Sequence, residues 1–593
     1  MSLVKGIKRA ASKMIGVALF AFFTLYSSLL YSQRSNVEND KGVNLSAQKE
    51  AVSSFLLPIE SYNGFAGTYG ELRGNHFHCG LDMRTAGTTG RKIFAADEGY
   101  VSRITVSAWG FGNMIEVTHP SGYRTIYGHL LRFAPKYQKL VRDKQYKEKS
   151  WNQAIDFPKD SLLVKRGDLI AYSGNSGSSG GPHLHFEVLD EEGTPVNLQL
   201  TDIYNLSDKT SPLIRDVRFV GCATLYGALY TFPVPAAKDS VTAVPRSFYV
   251  AVDAYDLMEG TNGKLAVYKY EVLIDSTSVF SFTEGNIPYS TGRYIASLLD
   301  TPLRRSTSRY YVKTQVDPAN KLSDRITAVN DGVITLQDTS SHTITVKVSD
   351  VYGNLTSADY TVKRVDSLFT SAVPFAPKGE FMKWNAENVY SLDGLKVKIP
   401  EGALYRDGYI DIVKESELYK SSADIPPMSA LWKIGDENVP LHKSMEIEMQ
   451  ASVPVGIKDK VLLARVGRNG SLSGVGGSYN ALTGVLTAKV GGFGKYCGTA
   501  DILPPEVTVR VKEGALVKGS SIKITIKDKL SGVNSFSCEI DGHWVVAEHD
   551  GKTSTLEIPL YDAGLSRGRM HSLVVTVMDN VGNKQVVKRS FKW

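Results

Sequence analysis

The sequence predicts a mostly all-β chain of several domains, and three observations carry that expectation. Its 593 residues exceed what one hydrophobic core serves, so the chain must divide. Beyond residue 57, short runs rich in Val, Ile, Tyr and Thr alternate with polar positions and are punctuated by Gly, Asn and Asp, the period-two pattern of half-buried strands. A balance of 42% hydrophobic and 22% charged residues excludes long disorder.

Taken in order, the N-terminus comes first. Residues 1–14 carry Lys5, Lys8, Arg9 and Lys13 with no acidic residue, and IGVALFAFFTLYSSLLYS then runs apolar to Ser32. A basic start, an apolar stretch and a polar continuation near Gln33 read as a secretory signal over 1–32, followed by a leader segment over 33–57. Leu30 stands where cleavage prefers a small residue, and the apolar run nearly reaches a membrane span, so an uncleaved anchor is the alternative and the one expected contact with a membrane. Either way the rest of the chain is expected to be exported, to the periplasm, the cell envelope or the extracellular space. Losing 1–32 removes four positive charges and no negative ones, which takes the formal +7 to +3. Nucleic acid is not expected as a partner on that balance.

Cys79, Cys222, Cys497 and Cys538 lie far apart and form no C-x-x-C pair, which excludes small disulfide-built domains. A Cys497–Cys538 bridge and buried free thiols both stay open.

Four folded regions are expected, at 58–205, 206–365, 366–500 and 501–593. In the first, PKYQKLVRDKQYKEKS at 135–150 breaks the strand pattern: Tyr137, Leu140 and Val141 recur at helical spacing among six basic residues, which predicts a short amphipathic surface helix. The second and fourth echo one another. SPLIRDVRF (211–219) parallels PPEVTVRV (504–511), YVAVDAYD (249–256) parallels IKITIKDK (522–529), and VSDVYGN (348–354) parallels VMDNVGN (577–583). Seven or so short strands with Gly-Asn turns suit an immunoglobulin-like sandwich in each. In the third, LKVKIPEGALYRDGYIDI (395–412) and GGFGKYCGTAD (491–501) resemble the ZU5-type β-sandwich.

Histidine is distributed unevenly: six of eleven, His76, His78, His119, His129, His183 and His185, fall between residues 76 and 185. In GGPHLHFEV (180–188) a strand would put His183, His185 and Glu187 on one face and Leu184 and Phe186 on the other. In NHFHCGLDM (75–83), His78 and Asp82 offer an imidazole and a carboxylate four residues apart with Gly80 between them. With one histidine of the H-L-H pair they form a His2Asp set. Three protein ligands leave a fourth tetrahedral position for water, the arrangement of a catalytic zinc, which lowers the pKa of such a water to about 7.

HFHCGLD, AADEGYVSRI, WGFGNMIEVTHPSGYRTIYGHL and VKRGDLIAYSGNSGSSGGPHLHFEV, in that order over roughly residues 65–200, resemble the lysostaphin/LytM-type zinc endopeptidases of bacterial cell walls, the M23 peptidase family. The resemblance implies an M23-type antiparallel β-sheet catalytic domain followed by three β-sandwich domains. It implies one Zn2+ held by His78, Asp82 and His185, with His129 and His183 as the catalytic histidines beside it, orienting or deprotonating the attacking water, steadying the oxyanion and handing a proton to the leaving amine. Which of the two does which stays open. Glu187 is expected to accept a hydrogen bond from a ligand histidine. His76 fits no family position, Cys79 should point away from the face of His78, and His119 reads as a turn residue.

The implied function is hydrolysis of peptide bonds in peptidoglycan cross-links or stem peptides, with peptidoglycan as partner and further protein partners through the β-domains. The alternatives are a non-catalytic wall-binding or activator protein, a zinc peptidase acting on a non-wall protein, and an adhesin or scaffold to which the peptidase is accessory. GSSGG at 177–181 has the G-x-S-x-G spelling of a nucleophile elbow, but Pro182 and a strand follow it where a helix is required. Two departures from the family stand out. The 38 residues from His129 to Gly167 are more than usual and hold the basic helix, and VNLQLTDIY follows HLHFEV in place of Asn-Pro.

Overall fold

The computed structural model describes residues 45–593 except 202, 205, 237–239, 259–262, 371–375, 417–418 and 420–424. The expected signal and residues 33–44 of the leader lie outside these residues. Among the described residues no helix is long and apolar enough to cross a membrane.

The N-terminal part is a ten-stranded, wholly antiparallel sheet. Its strands are β1 (Phe65–Gly67), β2 (Leu81–Arg84), β3 (Lys92–Phe94), β4 (Gly99–Val106), β5 (Asn113–Thr118), β6 (Arg124–Phe133), β7 (Gln153–Asp156), β8 (Leu163–Val164), β9 (Leu169–Ser173) and β10 (His183–Leu189). The main path runs β1-β2-β10-β6-β5-β4-β7, with β9 joining β3 to β6 and β8 on β4. The sheet's last strand in sequence, β10, therefore sits between β2 and β6, near the middle. Alternation along β10 buries Leu184, Phe186 and Val188 in a core with Ile104, Ile115, Val117 and Tyr127, and turns His183, His185 and Glu187 to the other face.

The predicted helix is present as α2 (Pro135–Glu148), after the short α1 (Leu45–Val52). Pro135 opens it, where a missing N–H costs nothing, and Lys149 closes it in the left-handed region at φ 49°. Tyr137, Val141 and Gln145 are its buried side chains, whereas Leu140, expected on the apolar face, is 38% exposed. The buried stripe follows strict i, i+4 spacing, which leaves residue 140 off it.

Three further β-regions follow. In the first, a five-stranded sheet (Leu213–Leu225, Ala228–Pro235, Ser247–Tyr255, Val312–Lys313, Ile334–Thr335) and a six-stranded sheet close over a core holding Phe219, Phe248, Phe282 and Val346. The last region pairs a four-stranded with a five-stranded sheet around Ile524, Leu556 and Val575. The sequence echo has a topological counterpart. In each, a short strand (Thr242–Val244, Ala515–Leu516) pairs parallel to the second arm of a long hairpin (Ser341–Ser349 with Leu355–Arg364, Met570–Asp579 with Lys584–Lys592). Between them, two five-stranded sheets and a two-stranded one enclose Trp432, Ile447 and Tyr496. All four cysteines are buried and free, Cys497 beside Tyr419 and Leu431 and Cys538 in the last core, so the open question of a Cys497–Cys538 bridge resolves as separate thiols.

The β-regions press on the first sheet from two sides. Tyr69 Oη receives the Ile287 N–H at 2.7 Å and donates to Pro195 O at 3.1 Å, and Asn286 Oδ1 receives the Asn197 N–H at 3.0 Å. From the other side, the last region docks on α2. Arg142 Nε meets Asp562 Oδ2 at 2.9 Å and its other arm meets Glu548, while Tyr146 crosses Trp544 edge-on.

Candidate metal centre

Strand register assembles the site. On one side of β10, His185 lies opposite Asp82 of β2; on the other it lies opposite Gly128 of β6, the residue before His129. His78 reaches in from the turn before β2. The result is a cluster of buried side chains: His78, Asp82, His129, His183 and His185 are each under 9% exposed.

Within it, His185 Nδ1 is 2.7 Å and His78 Nε2 3.0 Å from Asp82 Oδ1, and the two imidazole nitrogens are 3.1 Å apart. The opposite edges of the rings decide what these atoms are. His78 Nδ1 donates to Thr68 O at 2.8 Å and His185 Nε2 to Glu187 Oε1 at 2.7 Å, so in the neutral rings Nε2 of His78 and Nδ1 of His185 carry lone pairs. Two lone pairs and a carboxylate oxygen thus converge with no hydrogen of their own to share, the donor set of a cation site. Glu187 is itself held by the Tyr289 hydroxyl, from the region after the sheet. Carboxylate behind imidazole is how a metal-bound histidine is oriented and made more basic.

His129 and His183 are oriented the same way. His129 Nδ1 donates to Ser176 O at 2.9 Å and His183 Nδ1 to Gly181 O at 2.8 Å, which leaves each Nε2 as the basic nitrogen. His183 Nε2 is buried 3.4 Å from Asp82 Oδ1 without a hydrogen bond, an orphaned atom that a bound group in the centre would face. His129 takes φ 57°, uncommon for a residue with a side chain and held here by its surroundings. Its Ser176 partner is fixed by Gly177, whose backbone packs on Gly112 so closely that a Cβ there would fall 2.4 Å from Gly112 N.

Charge follows geometry. Burial works against ionising Asp82, but the surrounding His78, His183 and His185 hold it well below the usual carboxylate range. Burial likewise opposes a charged His185, yet the carboxylates on its two nitrogens bring it up to about 10: the centre calls for positive charge between its donors. Burial, aided by His185 and His183, pushes His129 down to about 3, so it stands as a neutral base at neutral pH.

The structure thus brings together all five residues singled out by the sequence. Glu187 takes the supporting place expected of it. His76 is exposed, bonded to Asn75; Cys79 Sγ points to Phe77 O; and His119 opens the hairpin turn as expected, its O accepting the Gly122 N–H at 3.0 Å, with its ring buried between Glu98 O and Thr125 Oγ1. Sequence reasoning missed Thr68, Tyr289 and Arg73. Arg73 Nη2 bonds Glu71 at 2.7 Å and approaches Asp82 Oδ2 at 3.3 Å, so a cation already neutralises the oxygen of Asp82 turned away from the histidines.

A buried His2Asp donor set with two further basic imidazoles, on an antiparallel sheet, is suited to hold a divalent metal ion beside two proton-accepting groups. Residues 76–146 match the model of Peptidase family M23, and residues 379–501 that of the Zu5-like domain. The chain carries an M23-family peptidase domain and, further along, a Zu5-like domain. The M23 match ends within α2, so His183 and His185 lie beyond it.

Among curated relatives, an uncharacterized metalloprotease of Haemophilus influenzae is 32% identical over 110 residues, 18% of either chain. The peptidoglycan DD-endopeptidase ShyB of Vibrio cholerae is 31% identical over 147 residues, 24% of this chain and 28% of that one. The chain spans less than a third of the length of these relatives. Among solved structures, a zinc containing peptidase from Vibrio cholerae is 26% identical, covering 24% of this chain and 39% of its own, with a TM-score of 0.19.

Proposed function

We propose that the protein is an exported zinc metalloendopeptidase that cleaves peptide bonds in the cross-links or stem peptides of peptidoglycan. The observation that carries this reading is the convergence of the His78, Asp82 and His185 lone pairs at 2.7–3.1 Å, each imidazole fixed from behind. The wall as substrate is supported by the names of relatives, a peptidoglycan DD-endopeptidase and a DD-carboxypeptidase/endopeptidase. Export is supported by the basic-then-apolar N-terminus and by the substrate, which lies outside the cytoplasm.

In this reading His78, Asp82 and His185 hold the ion. Zinc, when bound, supplies a Lewis acid that polarises the scissile carbonyl and acidifies water. His129 and His183 present Nε2 toward the same space, their rings 4.8 Å apart, and each can take a proton there and return it to the departing amine. Their carbonyl partners, Ser176 O and Gly181 O, stabilise the imidazolium formed when a proton is held. Phe111, its ring tilted against that of His185 at 5.3 Å between centroids, covers one side of the ligand.

The test is to incubate the purified chain with peptidoglycan, with and without chelator, and to seek new amino termini by mass spectrometry. Zinc-dependent cleavage is expected. Zinc-loaded protein that cuts none of several wall types would overturn the reading.

A further inference from the structure

A second group of acidic residues lies away from the metal centre. Asp208 stands in the segment joining the peptidase sheet to the next β-region, Asp256 just past the strand Ser247–Tyr255, and Asp350 just past Ser341–Ser349. One carboxylate oxygen from each lies within 4.8 Å of the others, and the residues are 7%, 6% and 2% exposed. Isolated carboxylates are rarely buried, because removing the charge from water costs several kcal/mol on the order of magnitude unless something compensates it. Here the charged groups bearing on Asp256 are Asp350 and Asp208, of the same sign.

Asp350 is bonded by neutral donors, and backbone N–H groups cap Asp208 Oδ1. Asp350 accepts the N–H groups of Tyr352 (2.9 Å) and Asn354 (2.8 Å) and the Asn354 amide (2.7 Å); Asp208 Oδ1 accepts those of Lys209 (2.8 Å) and Thr210 (3.1 Å). These hydrogen bonds place the two carboxylates and carry no charge themselves. Asp256 Oδ1 is the independent sign of a ligand. It is buried and has no hydrogen-bond partner, on a residue of the converging set. A native fold rarely leaves such an oxygen unsatisfied unless something binds it. Burial and the neighbouring Asp350 also push Asp256 up to about 8, consistent with a missing positive charge.

We propose that Asp208, Asp256 and Asp350 bind one calcium ion at the joint between the peptidase sheet and the β-region after it. Oxygen-only, anionic donors select a hard cation over zinc. Three carboxylates exceed the one or two that Mg2+ recruits, and Ca–O bonds of about 2.3–2.6 Å let ligand atoms stand up to about 5 Å apart. The ion ties a linker residue to the ends of two strands from facing sheets, so it fixes where the β-region leaves the peptidase. Asn354 already serves that joint, its side chain reaching Asp208 O at 3.0 Å. The last β-region repeats the scaffold with Asp501, Asp528 and Asp579, and Asn583 donates to Asp501 O at 2.8 Å. There the Asp528 carboxylate accepts from Gly532 and Leu530, and the inference is confined to the first trio.

The experiment uses the full chain prepared with zinc, freed of calcium and titrated with Ca2+ by equilibrium dialysis, zinc content being read in parallel. Wild type is expected to bind one more Ca2+ than Asp256→Asn or Asp350→Asn, at unchanged zinc content, and Ca2+ should protect residues 206–212 from proteolysis in wild type alone. Both substitutions remove a like charge from the trio, so circular dichroism should show folded variants. Wild type that takes up no Ca2+ at millimolar concentration, variants that bind as much as wild type, or a preference for Mg2+ would each overturn the assignment.

Discussion

His78 Nε2 and His185 Nδ1 stand 3.1 Å apart although 107 residues separate them, and each ring is held from behind by an acceptor, Thr68 O for one and Glu187 for the other. When neutral, two imidazoles that both donate outward both present lone pairs inward. His185→Ala or His78→Ala should therefore abolish zinc binding, from one ion per chain to none. His129→Ala should keep the ion and lose about 10²–10⁴-fold in turnover, the usual worth of a positioned acid-base group. Metal analysis and wall-cleavage rates on the same preparations check this, and equal zinc loss in all three would show the roles wrongly assigned.

Glu187 is 3% exposed and acts on the centre only through His185, with burial opposed by the His185 and Tyr289 bonds that keep it ionised. Glu187→Gln removes the charge but keeps the shape. Zinc affinity should fall by about 10–100-fold, as for other partners behind a metal-bound histidine. Tyr289→Phe should move it in the same direction by less. Chelator competition gives both values, and an unchanged affinity in Glu187→Gln would remove the carboxylate from any role at the ion.

The last β-region is anchored to α2 through Arg142, whose guanidinium is 17% exposed between Asp562 and Glu548. Its carboxylate partners are nearly half exposed, so water screens the pair and the lower end of a charged hydrogen bond, about 1.5 kcal/mol, applies. Arg142→Ala should make separation of this contact roughly tenfold more frequent. Hydrogen exchange at residues 543–550 and along α2 reads the effect. No change in exchange would mean that Trp109, stacked against Gly551, holds the contact without Arg142.

How much of this was legible beforehand depends on the range of the interaction. Period-two alternation showed that Leu184 and Phe186 face inward and His183, His185 and Glu187 do not, because a strand's two faces are written in adjacent letters. Of the five site residues, His183 and His185 could be read for the same reason, and His78 with Asp82 by their four-residue spacing. His129 and the choice of His185 as third ligand came from the resemblance to the M23 peptidases. Tyr289 could not. It meets Glu187 from another β-region, and no local pattern marks a residue whose partner is set by how two regions pack. Leu140 was misplaced because a helix face three residues wide admits more than one apolar stripe, and the sheet under α2 chose 137, 141 and 145. The Asp208, Asp256 and Asp350 trio lay half in view: each aspartate sat in an echoed stretch or beside one, but only the fold joins them.

His571 offers a pH test independent of the two proposed metal sites. Its Nδ1 meets Asp541 Oδ2 at 2.7 Å and its Nε2 donates to Ser566 O at 2.8 Å, so both nitrogens have acceptors and the ring is suited to the doubly protonated form. Burial alone would lower its pKa, but the Asp541 bond outweighs it and the folded value is raised above 6.5. Asp541, in turn, is lowered below 3.8 by the same bond against its own burial. A histidine raised on folding contributes stability that is complete below its unfolded pKa and is lost as pH rises through the folded one. An aspartate lowered on folding loses its contribution only as pH falls through its folded value. The pair is therefore at full strength between about pH 4 and 6.5. Asp541→Asn keeps the bond to Ser572 N–H but not the charge. The calorimetric transition of the variant should lie furthest below that of wild type near pH 5–6, with the gap closing steadily above pH 6.5. A gap that stays constant from pH 5 to 9 would mean that His571 is neutral in the folded protein and that Asp541 acts only as a hydrogen-bond acceptor.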